Sequence, residues 1–344
     1  MKAIYEALRR TPGPAALATV LRVEGSAYRR AGAQMLIPAG GDPVGVISGG
    51  CLEADVIEQA RDVLAGRGNQ LLSYDLRSED ESLWGLNLGC NGLVQVLVER
   101  VEPAIFTPLA AEWAAGRSCA SVAVVQPGPY LGRRLLLTRD GATYSNIDEP
   151  HLEAAALAAI SGSAQPRWIE SAGTALFVME HRPPPVLWVV GAGRDAQPVV
   201  ELAARMGWRV QVVDRRRSYA DPSRFPTADA VRCIAPEELA AEAGEGAFAV
   251  FMHHHFDHDR AYLQAMLATG ARYLGVLGPR TRTLRLLGTD RLPANVYGPV
   301  GLDLGGEGPE AVALSIMAEV QAVCHDRSGL HLRGPAICES RVEG

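Results

Sequence analysis

Cysteine is sparse in this chain: six residues among 344, at positions 51, 90, 119, 233, 324 and 338, with no Cys-x-x-Cys pair among them. That excludes a disulfide-dense scaffold and the common zinc-ligand spacings, and it fits a reducing compartment, the cytoplasm. Excess positive charge is also missing. The 33 Lys and Arg stand against 39 Asp and Glu, a net charge of −6, so nothing global draws the chain to nucleic acid. There is no long apolar run, so no membrane span is expected, and Met1-Lys2-Ala3-Ile4-Tyr5-Glu6 lacks the layout of a signal peptide. What remains is 48% hydrophobic and 21% charged, an ordinary globular composition with room for two domains.

Pro183-Pro184-Pro185 is the clearest punctuation, because consecutive prolines favour a stiff extended linker. We place an N-terminal domain over 1–182, the linker over 183–185, a second domain over 186–325 and a tail over 326–344. The second domain opens on an all-apolar strand over 186–190, then Gly191-Ala192-Gly193-Arg194-Asp195-Ala196, a helix over 195–206 and a strand over 209–214. This is the Gly-x-Gly-x-x-Ala variant of the dinucleotide fingerprint in its strand, turn and helix context. Asp214 stands 23 residues after Gly191, where a ribose-binding acid belongs, while Arg215-Arg216-Arg217 would equally welcome a 2′-phosphate or remain a solvated loop. Further strands over 247–252 and 273–277, with a helix over 261–268 between them, predict a Rossmann-like doubly wound parallel sheet.

His253-His254-His255-Phe256-Asp257-His258-Asp259 follows a strand end at the carboxyl edge of that sheet. Its imidazoles and carboxylates suit a divalent metal, and a loop facing a bound ligand explains them equally, with His253 and His254 as contacts. Arg280, after the next strand, would aim at the same crevice or lie in a surface turn.

In the N-terminal half, strands are expected over 16–23, 34–37, 44–47, 71–76 and 93–98, and a helix over 51–64 with apolar spacing at Leu52, Val56, Ala60 and Val63. A Ser48-Gly49-Gly50 elbow delivers Cys51 to that helix. A thiol entering a helix behind glycines is a reachable nucleophile or metal ligand, since the helix N-terminus favours thiolate; the plain alternative is a small packing residue. Cys90, in a glycine-rich loop over 83–92, carries the same two readings, and the other four cysteines read as packing or surface residues. Arg29 and Arg30 sit on a basic loop over 25–32. Residues 103–180 are less legible: a helix around 109–115, strands near 120–125 and 134–138, and an Ala-rich helix over 151–160 complete an N-terminal mixed α/β domain.

Gly25-Ser26-Ala27-Tyr28-Arg29-Arg30-Ala31-Gly32-Ala33-Gln34-Met35, Ile47-Ser48-Gly49-Gly50-Cys51-Leu52-Glu53 and Leu88-Gly89-Cys90 together resemble the N-terminal domain of the XdhC/CoxI family of xanthine dehydrogenase accessory proteins. Val190-Gly191-Ala192-Gly193 with Gln197-Pro198, Met252-His253-His254, Gly275-Val276-Leu277-Gly278-Pro279-Arg280 and Gly298-Pro299-Val300-Gly301-Leu302-Asp303 resemble that family's Rossmann domain. The resemblance runs in order over 18–323, with little of it in 103–180; family members often carry proline where Tyr28 and Ala31 stand here.

The resemblance implies a maturation factor for molybdenum hydroxylases, a cofactor chaperone more than a turnover enzyme. Such a factor binds the molybdenum cofactor, as molybdopterin or its dinucleotide form, hosts installation of its terminal sulfido ligand and inserts it into a xanthine dehydrogenase-type apoenzyme. On that reading Cys51, with Cys90, would ligate molybdenum or carry sulfur as a persulfide, with a cysteine desulfurase as donor. Ser48, Gly49 and Gly50 would shape that site, and Arg29 and Arg30 would pair with the pterin phosphate. Gly191 and Gly193, with Asp214, His253, His254 and Arg280 around them, would cradle the pyrophosphate of a dinucleotide cofactor, or of NAD(P) or FAD. A cytoplasmic homodimer is expected. Two other classes stay open: an NAD(P)-dependent oxidoreductase, for which the N-terminal domain offers no identifiable acid, base or hydride-orienting group, and a non-catalytic nucleotide sensor needing only the Rossmann half.

Overall fold

The chain divides after Pro183 into two units, Met1–Pro183 and Pro184–Gly344. The computed structural model describes residues 2–11, 13–25, 29–75, 92–160, 165–171 and 173–332. Cys90, Cys338, Ser26-Ala27-Tyr28 and the 83–91 part of the glycine-rich loop lie outside them.

Unit 1 runs α1 (Lys2–Arg10), β1 (Ala15–Gly25), β2 (Gln34–Pro38), β3 (Val44–Gly45), α2 (Glu53–Asp62), β4 (Gln70–Asp75), β5 (Gly92–Arg100), α3 (Pro103–Ala114), β6 (Cys119–Val124), β7 (Arg134–Thr138), β8 (Thr143–Ser145), α4 (Pro150–Ala159), β9 (Arg167–Ser171) and β10 (Thr174–His181). The strands form two antiparallel sheets of five, ordered β3-β2-β1-β5-β4 and β8-β7-β6-β10-β9. Period-2 alternation decides which way each side chain points. Ala16, Ala18 and Val20 meet Val56, Ala60 and Val63 of α2 and its following turn. Leu17 packs with α1 and α3, and Leu21 faces Ala123, Phe177 and Met179 of the second sheet. The pairing shifts between Val20 and Arg22, a bulge that reverses the alternation and returns Val23 to the α2 side. Val122, Val124, Leu135 and Leu176 cover the far face of the second sheet beneath Leu152, Ala155 and Ala156 of α4. The unit is therefore helix, sheet, sheet, helix, with α1 and α3 packed against the inner faces of both sheets through Leu17, Leu36, Cys119 and Leu136. Sequence periodicity located β6, β7 and α4 but not the completed second sheet, because β8 has only three residues and the polar Arg167, Glu170, Glu180 and His181 interrupt the apolar pattern of β9 and β10.

A polar chain crosses the inter-sheet core. Glu99 pairs with Arg134, Arg134 Nη1 donates to Ser121 Oγ at 2.8 Å, Ser121 Oγ lies 2.7 Å from His181 Nε2, and His181 Nδ1 lies 2.6 Å from the Tyr5 hydroxyl. All five side chains are buried. Burial, then the Arg134 charge, pushes the His181 pKa down to about 3, so the ring is neutral at pH 7.

Unit 2 runs β11 (Val186–Val190), α5 (Ala196–Arg205), β12 (Arg209–Val213), β13 (Ala230–Arg232), α6 (Pro236–Ala243), β14 (Phe248–Phe251), α7 (Phe256–Leu267), β15 (Tyr273–Val276), α8 (Arg280–Leu287), β16 (Val296–Tyr297) and α9 (Pro309–Cys324). All neighbouring strands are parallel, in the order β13-β12-β11-β14-β15-β16. Helices α5 and α9 cover one face and α6, α7 and α8 the other. This is the doubly wound Rossmann arrangement expected from the alternation, with its switch point between β11 and β14. No helix among the described residues is long and apolar enough to cross a membrane.

Candidate functional site

The first candidate centre begins where β3 stops. Gly45 has φ +98°, and a Cβ there would lie 2.5 Å from the Gln34 carbonyl oxygen, so only glycine lets the chain leave the sheet at this point. Buried Ile47 anchors the next turn, and the Glu53 carboxylate then closes it. Its Oε1 accepts from the N–H of Ser48 at 2.7 Å and of Ile47 at 3.3 Å. Its Oε2 accepts from the Ser48 hydroxyl and, at 3.1 Å, from the N–H of Gly50. Ser48 Oγ in turn accepts from the N–H groups of Gly50 and Leu52, both at 3.2 Å, and so ties the turn to the residue that precedes α2. Burial works against the Glu53 charge, but the hydrogen bonds from Ser48 and Ile47 outweigh it and hold the carboxyl below the usual carboxylate range.

Ser48 is thereby turned inward and fastens the loop. What reaches solvent is the Gly49 and Gly50 backbone, with half-buried Cys51 resting against the α2 cluster. Glu53 was not singled out by motif reading, although an acid in the first turn of a helix is a sequence signal for such a closure. Arg29 and Arg30 are exposed on the loop before β2. Of the other described thiols, Cys119 is buried, and burial, then the Glu112 and Glu180 charges, pushes its pKa up to about 12, which removes it as a nucleophile.

The second centre is the carboxyl edge of the parallel sheet. Gly191 takes φ +118°, and a Cβ there would fall 2.7 Å from both the His253 nitrogen and the Met252 carbonyl carbon, so the β11 turn and the β14 end touch backbone to backbone. Around Gly193 there is open space. Asp214 is fully buried. Its Oδ2 accepts from the Ala192 N–H and Arg216 Nη2, each at 2.8 Å, and its Oδ1 from Arg216 N at 2.8 Å and Nε at 3.0 Å. The expected ribose acid is thus turned onto the protein, and a ribose would have to displace Arg216, which stacks 3.5 Å above the Tyr219 ring. Burial raises the pKa of Asp214, but the hydrogen bonds from Arg216 and Ala192 prevail and lower it overall.

His253 is buried, with Nδ1 3.1 Å from Asp259 Oδ1 and Nε2 3.8 Å from Asp214 Oδ2, the latter nitrogen lacking a hydrogen-bond partner. His254 is exposed and reaches Asp195 at 3.3 Å, while His255 and His258 stack on each other at 4.1 Å. Only His254 leaves the group: α7 starts at Phe256, with Asp257 and Asp259 in its first turn, rather than near residue 261, and this sets the His258 ring 5.8 Å from that of His253 and beside that of His255. Among the described residues no group of three His, Cys, Asp or Glu side chains converges on a metal position. Arg280 is exposed and makes no ion pair with a described residue. The arginine that enters the edge is Arg282, which binds Asp259 Oδ2 at 2.7 Å and the Leu277 carbonyl at 3.2 Å.

A family model described as the XdhC Rossmann domain matches residues 187–320, and one described as the XdhC and CoxI family matches residues 8–75. The chain is 35% identical over 331 residues to a Bacillus subtilis (strain 168) protein named as a probable xanthine dehydrogenase subunit, covering 92% of this chain and 95% of that one. It is 25% identical over 316 residues to the molybdenum cofactor insertion chaperone PaoD of Escherichia coli (strain K12), covering 90% and 83% respectively. Among solved structures, a xanthine dehydrogenase from Bacillus halodurans superposes with a TM-score of 0.82 at 30% identity, over 97% of this chain and 98% of that one.

Proposed function

Since the chain belongs to the XdhC and CoxI family, we propose that it is an accessory factor that binds the molybdenum cofactor, hosts its sulfuration and inserts it into a xanthine dehydrogenase-type apoenzyme. The name of the PaoD relative supports the insertion part of this reading. The observation that carries the site is the Ser48–Glu53 closure, which spends the polar side chains on the loop and leaves a thiol and glycine backbone at the surface. A soft thiolate suits molybdenum as cargo, and a half-exposed one suits a carried sulfur.

In this reading Cys51 is the ligand or sulfur carrier, and Gly49 and Gly50 let the cargo approach the backbone. Cys90 is the second thiol, and Arg29 and Arg30 meet the pterin phosphate. At the Rossmann edge, Gly191 and Gly193 give close approach to a pyrophosphate, whether of a dinucleotide form of the cargo or of NAD(P) or FAD. His254 and Arg280 stand on the solvent side there, and Asp214 and His253 hold the turn from beneath. A cysteine desulfurase supplies the sulfur, the hydroxylase apoenzyme receives the cargo, and the factor acts as a cytoplasmic homodimer.

The test compares the natural chain with Cys51→Ala after anaerobic purification from cells that make the cofactor, reading molybdenum, pterin and activation of apoenzyme. Molybdenum and pterin retained by the natural chain and lost with the thiol support the assignment. Equal retention and activation by both chains overturn Cys51 as the centre, and absence of cofactor from the natural chain even after supplying it overturns the carrier reading.

A further inference from the structure

Unit 1 contains a cavity of about 470 Å3 that shares no lining residue with the Ser48–Glu53 loop. Its volume falls in the range of about 300–1,000 Å3 typical of small-molecule sites. Four arginines line it against two glutamates, and they are not equivalent. Arg134 is spent on Glu99 and Ser121 in the buried chain, and Arg67 pairs with Asp62 at 3.0 Å. Arg100 and Arg133 have no carboxylate partner among the described residues. Each uses one Nη1 to hold a backbone carbonyl, Leu64 at 3.4 Å and Asn146 at 3.2 Å, leaving the rest of its fork available.

The wall that carries them is braced. Asn69 accepts from the Arg100 N–H at 2.9 Å and donates to the Leu131 carbonyl at 2.9 Å, and Gly132 packs so close to it that a Cβ would lie 2.4 Å from Asn69 Nδ2. Asn146 Oδ1 accepts from the Arg134 N–H at 2.6 Å. The remaining lining includes the apolar side chains Val63, Phe106, Pro129 and Leu131. Two guanidinium forks without a carboxylate partner, against the one remaining lining carboxylate, Glu102, recognise a doubly charged oxyanion better than a neutral group, and the apolar lining accepts a ring.

We propose that this cavity binds a phosphate ester of mononucleotide size, its phosphate held by Arg100 and Arg133 and its ring set against the apolar lining. The argument rests on charge and shape in unit 1 and does not use the cofactor reading. The test is titration calorimetry of the full chain with a nucleoside monophosphate (AMP, GMP or CMP), the matching nucleoside and inorganic phosphate. The monophosphate is expected to bind at least tenfold more tightly than either part alone. Arg100→Gln and Arg133→Gln are each expected to weaken it by about ten- to a hundredfold, the usual range for a charge-assisted hydrogen bond, while exposed Arg139→Gln and Cys51→Ala leave it unchanged. Arg100 is exposed, so its variant keeps the fold and decides the matter if Arg133→Gln does not. No binding of any monophosphate at millimolar concentration, or binding indifferent to both substitutions, overturns the site; inorganic phosphate binding as tightly as the monophosphate overturns the ester.

Discussion

Replacing Glu53 with glutamine keeps the shape of the side chain and removes only its charge and half its acceptor capacity. In the native loop the carboxylate gathers four donors: the N–H groups of Ile47, Ser48 and Gly50 and the Ser48 hydroxyl. An amide retains one acceptor oxygen and turns an NH2 toward the other donors. Hydrogen bonds to a charged group contribute about 1.5–3 kcal/mol each when buried, but the loop is half open and water replaces part of what is lost. A net cost of about 2 kcal/mol for opening the loop follows, which corresponds to roughly thirtyfold faster amide exchange at Ser48 and Gly50. Native-state hydrogen exchange on the full chain reads this directly, and the amides of β11 in the other unit serve as the internal control. The effect has a fixed sign with pH. Because the Glu53 pKa is lowered in the folded chain, its contribution is complete above the unfolded value of about 4.3 and is lost as pH falls through the depressed one, so the melting temperatures of the two proteins converge in acid. Unchanged exchange at Ser48 and Gly50 in a folded Glu53→Gln chain refutes the closure as drawn.

The buried His181 makes unit 1 acid-sensitive: its pKa drops from an unfolded value of about 6.5 to about 3, so stability is complete above the former and falls as pH descends toward the latter. Denaturant titrations of the natural chain are expected to show that slope and His181→Gln to flatten it; parallel slopes remove the histidine from the argument. Gly191→Ala forces a Cβ within 2.7 Å of the His253 nitrogen at φ +118°, with an expected cost of about 2 kcal/mol or more, and a melting transition of unit 2 left in place contradicts the backbone contact.

The parallel sheet was legible because its strands are buried on both faces and read as apolar runs between glycines, as Val186–Val190 and the turn after it do. Helical phase was harder to read. Nothing in Arg280-Thr281-Arg282 says which arginine meets the sheet edge, and the structure gives that place to Arg282, whose fork reaches a buried carboxylate on α7. The histidine run was read as loop because its polarity hid a helix start that Asp257 and Asp259 stabilise. In unit 1 the apolar stretch over 16–23 read as a strand, and the structure turns its Ala16, Ala18 and Val20 face onto α2, whereas the polar chain from Glu99 to Tyr5 joins residues up to 176 apart and has no local signature.

The two candidate centres use one device. In each, a glycine-containing turn leaves the end of a strand, and an inward-facing carboxylate accepts from its N–H groups: Glu53 from those of Ile47, Ser48 and Gly50, and Asp214 from that of Ala192, with the N–H of Arg216 from its own loop. An acid used this way is no longer offered to a ligand. It fixes the backbone of the turn in advance, which lowers the ordering cost of any binding there. On the proposed reading, the groups left to meet a ligand are those the acid leaves outside: at the first turn Cys51 and the glycine backbone, at the second the open side of Gly193 and the exposed flanking Arg215 and Arg217. Motif reading assigned Asp214 to the ligand because acids at that spacing often face a ribose. The Arg216 fork two residues later covers it, and Arg216→Ala would remove that cover while leaving the backbone bonds from Ala192 and Arg216 in place.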